Sequence, residues 1–169
     1  MRNDPKLVEK TSAGSMTSLW VRPGYLVRRL HQIHVAIFLQ ECASFGITPV
    51  QYAVMTALLN RPGADQVTVS REAGIDRTNV ADVLARLDQR GLVKREASAL
   101  DRRQRIARLT DEGDRITREM EHASLTAQAK FMEPLTIEKQ NQLMALMTEM
   151  VQANNEYSRA PAGGHTDAD

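Results

Sequence analysis

Cysteine, aromatic residues and long apolar runs are all scarce in this 169-residue chain, and each scarcity closes a class of function. The single cysteine, Cys42, cannot form an intramolecular disulfide or supply a four-cysteine zinc site, which suits a reducing compartment. Aromatics make up only 4% of the residues: Trp20, Tyr25, Phe38, Phe45, Tyr52, Phe131 and Tyr157. They do not cluster as the stacking platforms of RNA-recognition and single-strand-binding sheets require, so those folds are ruled out. Nowhere do about 18 apolar residues run together, and residues 1–15 are polar, without the apolar stretch of an export signal. The expectation is a cytoplasmic protein with no membrane contact. Catalytic signatures are missing too: there is no Gly-x-Ser-x-Gly, Gly-x-x-x-x-Gly-Lys, Gly-x-Gly-x-x-Gly or His-Glu-x-x-His. The chain therefore reads as a non-enzyme with no cofactor.

What is present is an ordinary globular composition, 42% apolar and 25% charged, in a length that fits one domain. Residues 1–18 mix charge with Ser, Thr and Gly, and residues 158–169 carry no apolar periodicity. The expected organisation is a flexible segment over 1–18, one domain over 19–157 and a disordered tail over 158–169.

The punctuation predicts six helices. Pro23 opens the first, which runs to about residue 44, before Gly46. At 100° per residue, Leu26, Leu30, Ile33 and Ile37 form a stripe of the kind that faces a core. Val27, His31, His34, Val35, Phe38, Cys42 and Phe45 form a second stripe beside it. Together they are wider than the roughly 100° apolar arc of a surface helix, so this helix is expected to be buried on two sides, against its own domain and against a partner subunit. Thr48 and Pro49 open a second helix that stops at Arg61-Pro62-Gly63. A short third helix over 68–73 ends at Gly74. The fourth follows Asp76, carries Val80, Val83, Leu84 and Leu87, and ends at Gly91. Segments 92–96 and 106–109 look like two strands around a charged loop. Thr110 and Thr136 stand where caps of a fifth helix (111–132) and a sixth (136–154) belong. Leu143, Leu146, Met147, Met150 and Val151 give the sixth a seam for another helix; its methionines are core filler before they are a binding face.

Helix, Gly-containing turn, helix, then two strands around a basic loop is the order of a winged helix-turn-helix. The fold class expected is mainly α, with about six helices and a two-stranded β wing. Net charge is only +1, which taken globally argues against a partner made of phosphates. Its distribution says otherwise. Between residues 94 and 108, Lys94, Arg95, Arg102, Arg103, Arg105 and Arg108 face only Glu96 and Asp101, a local +4. Such a wing is equipped to enter a minor groove or follow phosphates. The fourth helix adds Arg77, Thr78, Asn79, Asp82 and Arg86 towards the end that approaches base edges in this motif.

At these residues the chain resembles the MarR family of transcription regulators. The resemblance is carried in order and spacing by Thr48-Pro49-Val50-Gln51-Tyr52, Gly74-Ile75-Asp76-Arg77-Thr78-Asn79-Val80, Leu87-Asp88-Gln89-Arg90-Gly91-Leu92-Val93, and Asp101-Arg102-Arg103 followed by Leu109-Thr110. It covers roughly residues 23–155. It implies an intertwined homodimer whose first, fifth and sixth helices (23–44, 111–132 and 136–154) interlock, while two lobes (48–110) read successive major grooves of a pseudo-palindromic operator. It also implies that Arg103 is the wing-tip arginine, that Asp101 is the acid holding the wing arginine, and that Arg77, Thr78 and Asn79 start the reading helix. The run Pro23-Gly24-Tyr25-Leu26-Val27-Arg28-Arg29-Leu30-His31-Gln32-Ile33-His34 is similar to the nicotinate-pathway repressors of proteobacteria. That similarity implies a small pyridine or aromatic acid, such as 6-hydroxynicotinate, as the effector that releases double-stranded DNA.

Independently of the resemblance, His31 and His34 sit three apart with Val35 and Phe38, and with Trp20 and Tyr25 just before them. Apolar walls and one or two donors are what a flat anion needs, and histidine donates in either charge state. A satisfied interfacial pair and a metal site remain open for these histidines. The metal reading finds no third ligand nearby in sequence, since Cys42 lies roughly 12 Å further along the helix. Cys42 itself reads as a small buried apolar residue, because no cationic neighbour is evident to activate its thiol. Two alternatives to a ligand-released repressor stay open at this level: a metal-sensing regulator of the same type, and a winged-helix protein-interaction adaptor that does not bind DNA.

Overall fold

The computed structural model describes residues 19–98 and 103–161. The expectations for residues 1–18, for Asp101 and Arg102, and for most of the C-terminal tail lie outside those described. Six α-helices and three strands are found among the described residues: α1 (Pro23–Glu41), α2 (Pro49–Asn60), β1 (Ala64–Asp65), α3 (Gln66–Ala73), α4 (Arg77–Gln89), β2 (Val93–Ala97), β3 (Arg105–Leu109), α5 (Asp111–Met132) and α6 (Ile137–Ala153). Short 3₁₀ turns precede α1 at Leu19–Val21 and follow it at Ala43–Phe45. No described helix is long and apolar enough to cross a membrane.

Helix starts follow local hydrogen-bonding chemistry. Thr48 and Gln51 form a reciprocal capping box on α2, the Gln51 amide N–H donating to Thr48 Oγ1 and the Thr48 N–H to Gln51 Oε1. Asp76 accepts from the Asn79 N–H at 3.0 Å, and Thr110 from the Gly113 N–H at 3.1 Å. Thr136 holds the corresponding position on α6 without a side-chain bond to the helix backbone, its hydroxyl engaging the Glu138 carboxylate instead. That junction is closed instead by Gln140, whose amide donates to the Met132 and Leu135 carbonyls. In the α3–α4 turn, Gly74 takes a left-handed φ of 65°, and the Ser70 hydroxyl donates to the Ile75 carbonyl, fixing the angle of the two helices.

Two expectations are corrected. The wing sheet has three strands, ordered β1-β3-β2 and antiparallel throughout: Ala64 pairs with Ala107 and Asp65 with Ile106, ahead of the β2–β3 ladder. Two residues are too few to show an alternating pattern, so β1 exists only through its partner. The second correction concerns α1. Burial divides along the helix rather than between the stripes: Phe38 and Cys42 are buried and Ile37 packs against the core, whereas Leu26, Leu30 and Ile33 of the expected core-facing stripe and Val27 of the second are 38–61% exposed.

The core lies in the lobe. Val54, Met55, Leu58, Val69, Val80, Leu84, Leu87 and Val93 are buried together with Met120 of α5 and Phe38 of α1. Helix α5 meets this core along Gly113, Thr117, Met120, Ser124 and Ala127, a mostly small-residue edge that lets its backbone come close. Lys130 on α5 pairs with Glu41 on α1 at 2.9 Å. Helix α6, in contrast, buries none of its residues: Ile137, Met144, Leu146, Met147, Met150 and Val151 are all exposed in the single chain.

Candidate DNA-binding face and effector pocket

Helix α4 buries Val80, Val83, Leu84 and Leu87 and leaves Arg77, Thr78, Asn79, Asp82 and Arg86 outside. The five polar residues singled out in the sequence thus share the exposed side. Asn79 is also engaged locally, its side-chain amide donating to Asp76 Oδ2 at 2.6 Å. Asn79, Asp82 and Arg86 border a shallow depression with Thr48 and Gln51 at the start of α2.

Beside this face stands the wing. Its ladder runs from Val93↔Leu109 to Ala97↔Arg105, and the Ser98 N–H donates to the Gln104 carbonyl at 2.9 Å. Arg103 and Arg105 are exposed where the wing leaves the sheet. Glu96 holds Arg108 at 3.4 Å and Lys94 at 3.8 Å, so part of the basic charge is drawn onto the strand surface. These pairs are solvent-exposed and contribute little to stability. Asp101 and Arg102 are outside the described residues. One wing contact has no counterpart in the sequence reading: Gln104 Nε2 donates to Asp65 Oδ2 at 2.6 Å, while Asp65 Oδ1 accepts from the Thr68 N–H at 2.8 Å. The Thr68 backbone bond, against an opposing desolvation cost, holds the Asp65 carboxyl below its usual range, with the Gln104 bond adding to it.

A second feature lies on the far side of the lobe. A cavity of about 380 Å³ is bounded by His34 and Phe38 from α1, by Tyr52, Thr56 and Asn60 from α2, by Glu72 from α3, and by Ser124 and Gln128 from α5. It sits where the α1–α5 pair meets the reading lobe. His34 Nε2 is 3.3 Å from Gln128 Nε2, and its ring meets the edge of Phe131 at 5.5 Å. Burial first, and then the neighbouring His31, hold the His34 pKa below its ordinary value of 6.5, so the ring is neutral at pH 7. Thr56 Oγ1 is buried without a hydrogen-bond partner among the described residues, a costly state for a hydroxyl unless a guest completes it. The Glu72 carboxylate on the rim is paired with Arg61 at 2.8 Å.

Of the six residues expected to bind an acid, the structure brings His34 and Phe38 to this cavity. His31 is exposed, and Val35 is half-buried off the lining. Tyr25 packs edge-on against Trp20 at 5.4 Å, but nine residues of helix before His34, about 13 Å along the axis, keep that pair away. The sequence analysis did not single out Tyr52, Thr56 and Asn60, which line the cavity from one face of α2 at i, i+4 and i+8. Ser124 and Gln128 repeat that spacing on α5. Among the described residues no three His, Cys, Asp or Glu side chains converge as a metal site.

Comparison with known proteins gives this arrangement its relatives. Residues 45–104 match the MarR family. The transcriptional regulator HosA of Escherichia coli is 34% identical over 125 residues, covering 74% of this chain and 91% of HosA. The PcaV transcriptional regulator from Streptomyces coelicolor, solved with its natural ligand, superposes with a TM-score of 0.74 at 34% identity, over 83% of this chain and 99% of PcaV. BpsR of Bordetella bronchiseptica, whose DNA binding is regulated by 6-hydroxynicotinic acid, gives 0.72 at 29% identity, over 76% and 92%. With a winged helix-turn-helix whose fourth helix exposes a polar face, and with relatives that are regulators rather than enzymes, the chain belongs to the MarR family of DNA-binding transcriptional regulators.

Proposed function

We propose that the protein is a homodimeric repressor released from a pseudo-palindromic operator by a small aromatic acid, a nicotinate derivative such as 6-hydroxynicotinate being the first to test. The observation that carries this reading is the position of the His34 cavity, at the joint between the α1–α5 pair and the reading lobe. Its volume falls at the low end of the roughly 300–1,000 Å³ of small-molecule sites. Phe38 and Tyr52, whose rings lie 5.8 Å apart, supply aromatic wall, and His34, Thr56, Asn60 and Gln128 supply donors for a carboxylate. The similarity to BpsR favours the pyridine acid among flat anions.

The mechanism is a change of lobe spacing. A duplex presents successive major-groove faces about 34 Å apart, so an effector wedged at the joint of each lobe weakens both half-sites together. It does so only through its higher affinity for the released arrangement. A route to the reading helix exists in the Arg90 side chain at the end of α4, which donates to the Gly46 and Phe45 carbonyls in the turn after α1. In this reading Arg77, Thr78, Asn79, Asp82 and Arg86 face the major groove, and Arg103 and Arg105 the backbone or minor groove.

The test is DNA release followed by fluorescence anisotropy across a panel of aromatic acids. His34→Ala should retain DNA binding and require at least about tenfold more acid for release, as expected for the loss of a charge-assisted hydrogen bond. His31→Ala should respond like the parent. Release of the His34→Ala protein at parental acid concentrations would contradict the pocket.

A second prediction follows from His34 being neutral when the pocket is empty. A bound carboxylate raises the pKa of the ring, so the complex takes up a proton that the free protein lacks. Effector affinity should therefore rise as pH falls from 8 towards the folded pKa, below 6.5, and then level off. Calorimetry in buffers of different ionisation heats reads this directly, and zero proton uptake at pH 7 would rule out pairing with His34.

A further inference from the structure

The wing is joined to the helix-turn-helix by a bond between residues that no local pattern relates. Gln104 and Asp65 are 39 positions apart, and the Asp65 carboxylate is shared between them and α3: one oxygen takes the Thr68 N–H that starts the helix, the other takes the Gln104 amide. Gln104 is also the residue whose carbonyl receives the Ser98 N–H, the rung just beyond the β2–β3 ladder. It is followed by Arg105, where β3 begins, and preceded by Arg103.

Strand pairing alone leaves the wing angle loosely set. A narrow antiparallel ribbon twists readily, and β1 contributes only two residues to the sheet. The space between wing and lobe is an open cleft of about 570 Å³, lined by Asp65, Thr68, Glu96, Ser98 and Gln104 together with Ala64, Ala97 and Ile106, so the two sides are not packed against each other there. The Gln104–Asp65 bond crosses this cleft and ties the wing to the start of α3, the first helix of the helix-turn-helix.

We propose that Gln104 is a positioning residue for DNA binding: clamped by Asp65, it holds the wing at the angle that lets Arg103 and the reading helix engage the same duplex at once. The proposal rests on the wing reaching DNA as described above. Gln104 itself need not touch the DNA. Its contribution is preorganisation, because a wing that must be oriented during binding costs affinity that a wing already held does not.

The test is a mutant cycle on the intact protein, with affinity measured by fluorescence anisotropy on the duplex upstream of its own gene. Arg103→Ala should weaken binding and flatten its salt dependence. Gln104→Ala should weaken binding about fivefold to tenfold, the scale of one hydrogen bond between wing and lobe. In the Arg103→Ala background the same change should add less than about twofold, since a positioning residue has nothing left to position. Asp65→Ser retains an oxygen for the Thr68 cap but does not reach Gln104, so it should reproduce the Gln104→Ala loss and add nothing to it. Asp65→Asn keeps the cap and can bond the turned amide, so it should stay within about twofold of the parent, whereas the loss of a general structural role would not be rescued this way.

An Arg103→Ala protein with parental affinity would remove the wing from binding and the proposal with it. Loss in Arg103→Ala but none in Gln104→Ala would keep the wing and overturn the clamp. Equal Gln104→Ala losses in both backgrounds would overturn it as well, by showing that Gln104 acts elsewhere.

Discussion

If the protein works as the dimer proposed above, glutamate in place of Met147 is expected to yield a folded monomer that binds its DNA site about 10²- to 10⁴-fold more weakly. The size follows from effective concentration, because a dimer that has engaged one half-site presents its second lobe to the other at high local concentration, and a monomer does not. Met147 lies near the middle of the exposed α6 seam, between Leu143 and Met150 on one side and Met144 and Val151 on the other. Leu26, Leu30 and Ile33 on α1 form a second exposed apolar row. In a lone chain these rows would remain in water. Exposed apolar rows on these two helices are what the homodimer proposed above would cover. A buried, unpaired carboxylate at its centre costs several kcal/mol per subunit, which a dimer cannot absorb. The lobe should survive, since its core of Val54, Met55, Leu58, Val80, Leu84 and Leu87 does not draw on α6. Sedimentation equilibrium and operator titration read the two effects, and a Met147→Glu protein that remains a dimer with parental DNA affinity would refute the assigned interface.

Gly113→Ala is expected to destabilise the fold by about 3 kcal/mol or more and to lower Tm by roughly 10 °C. A methyl group at this position would overlap the Leu92 carbonyl oxygen and lie 2.9 Å from its carbon. That carbonyl cannot swing away freely, because it accepts the Thr110 N–H at 3.1 Å, and the adjacent Gly91 carbonyl accepts the Thr110 hydroxyl at 2.7 Å. The start of α5 would have to lift off β2, disturbing the join between the lobe and the long helices. Gly24→Ala is the matched control. No atom stands within 4 Å of its added carbon, so in the first turn of α1 it should be neutral or stabilising by up to about 1 kcal/mol. Thermal unfolding of the two variants at equal protein concentration gives the comparison, and equal Tm values would show that α5 can shift without cost.

How far each feature could be read in advance depends on the range of the interactions behind it. Thr48, Asp76 and Thr110 were recognisable as caps because a cap bonds a backbone amide only three residues away. The exposed polar side of α4 followed from the spacing of Val80, Val83, Leu84 and Leu87. For α1 the periodicity yielded two adjacent apolar stripes but not their destinations. Leu30 and Phe38 are equally apolar, and only packing decided that Phe38 joins the core while Leu30 stays exposed. The cavity proposed as the effector site was legible only in part: His34 and Phe38 stood out in the sequence, whereas Thr56 and Gln128 come beside His34 only through the packing of α2 and α5.

The sequence by itself determined the order of the six helices and of the two longer wing strands, most of their starts and stops, and the concentration of positive charge on the wing. These depend on bonds within a turn of helix and on charges close together along the chain. The tertiary structure alone decided which part of α1 is left exposed, where a cavity opens beside His34, and which bond joins the wing to the lobe. Each of those depends on residues far apart in the chain, His34 and Gln128 by 94 positions and Gln104 and Asp65 by 39, whose meeting is set by how whole helices and strands pack.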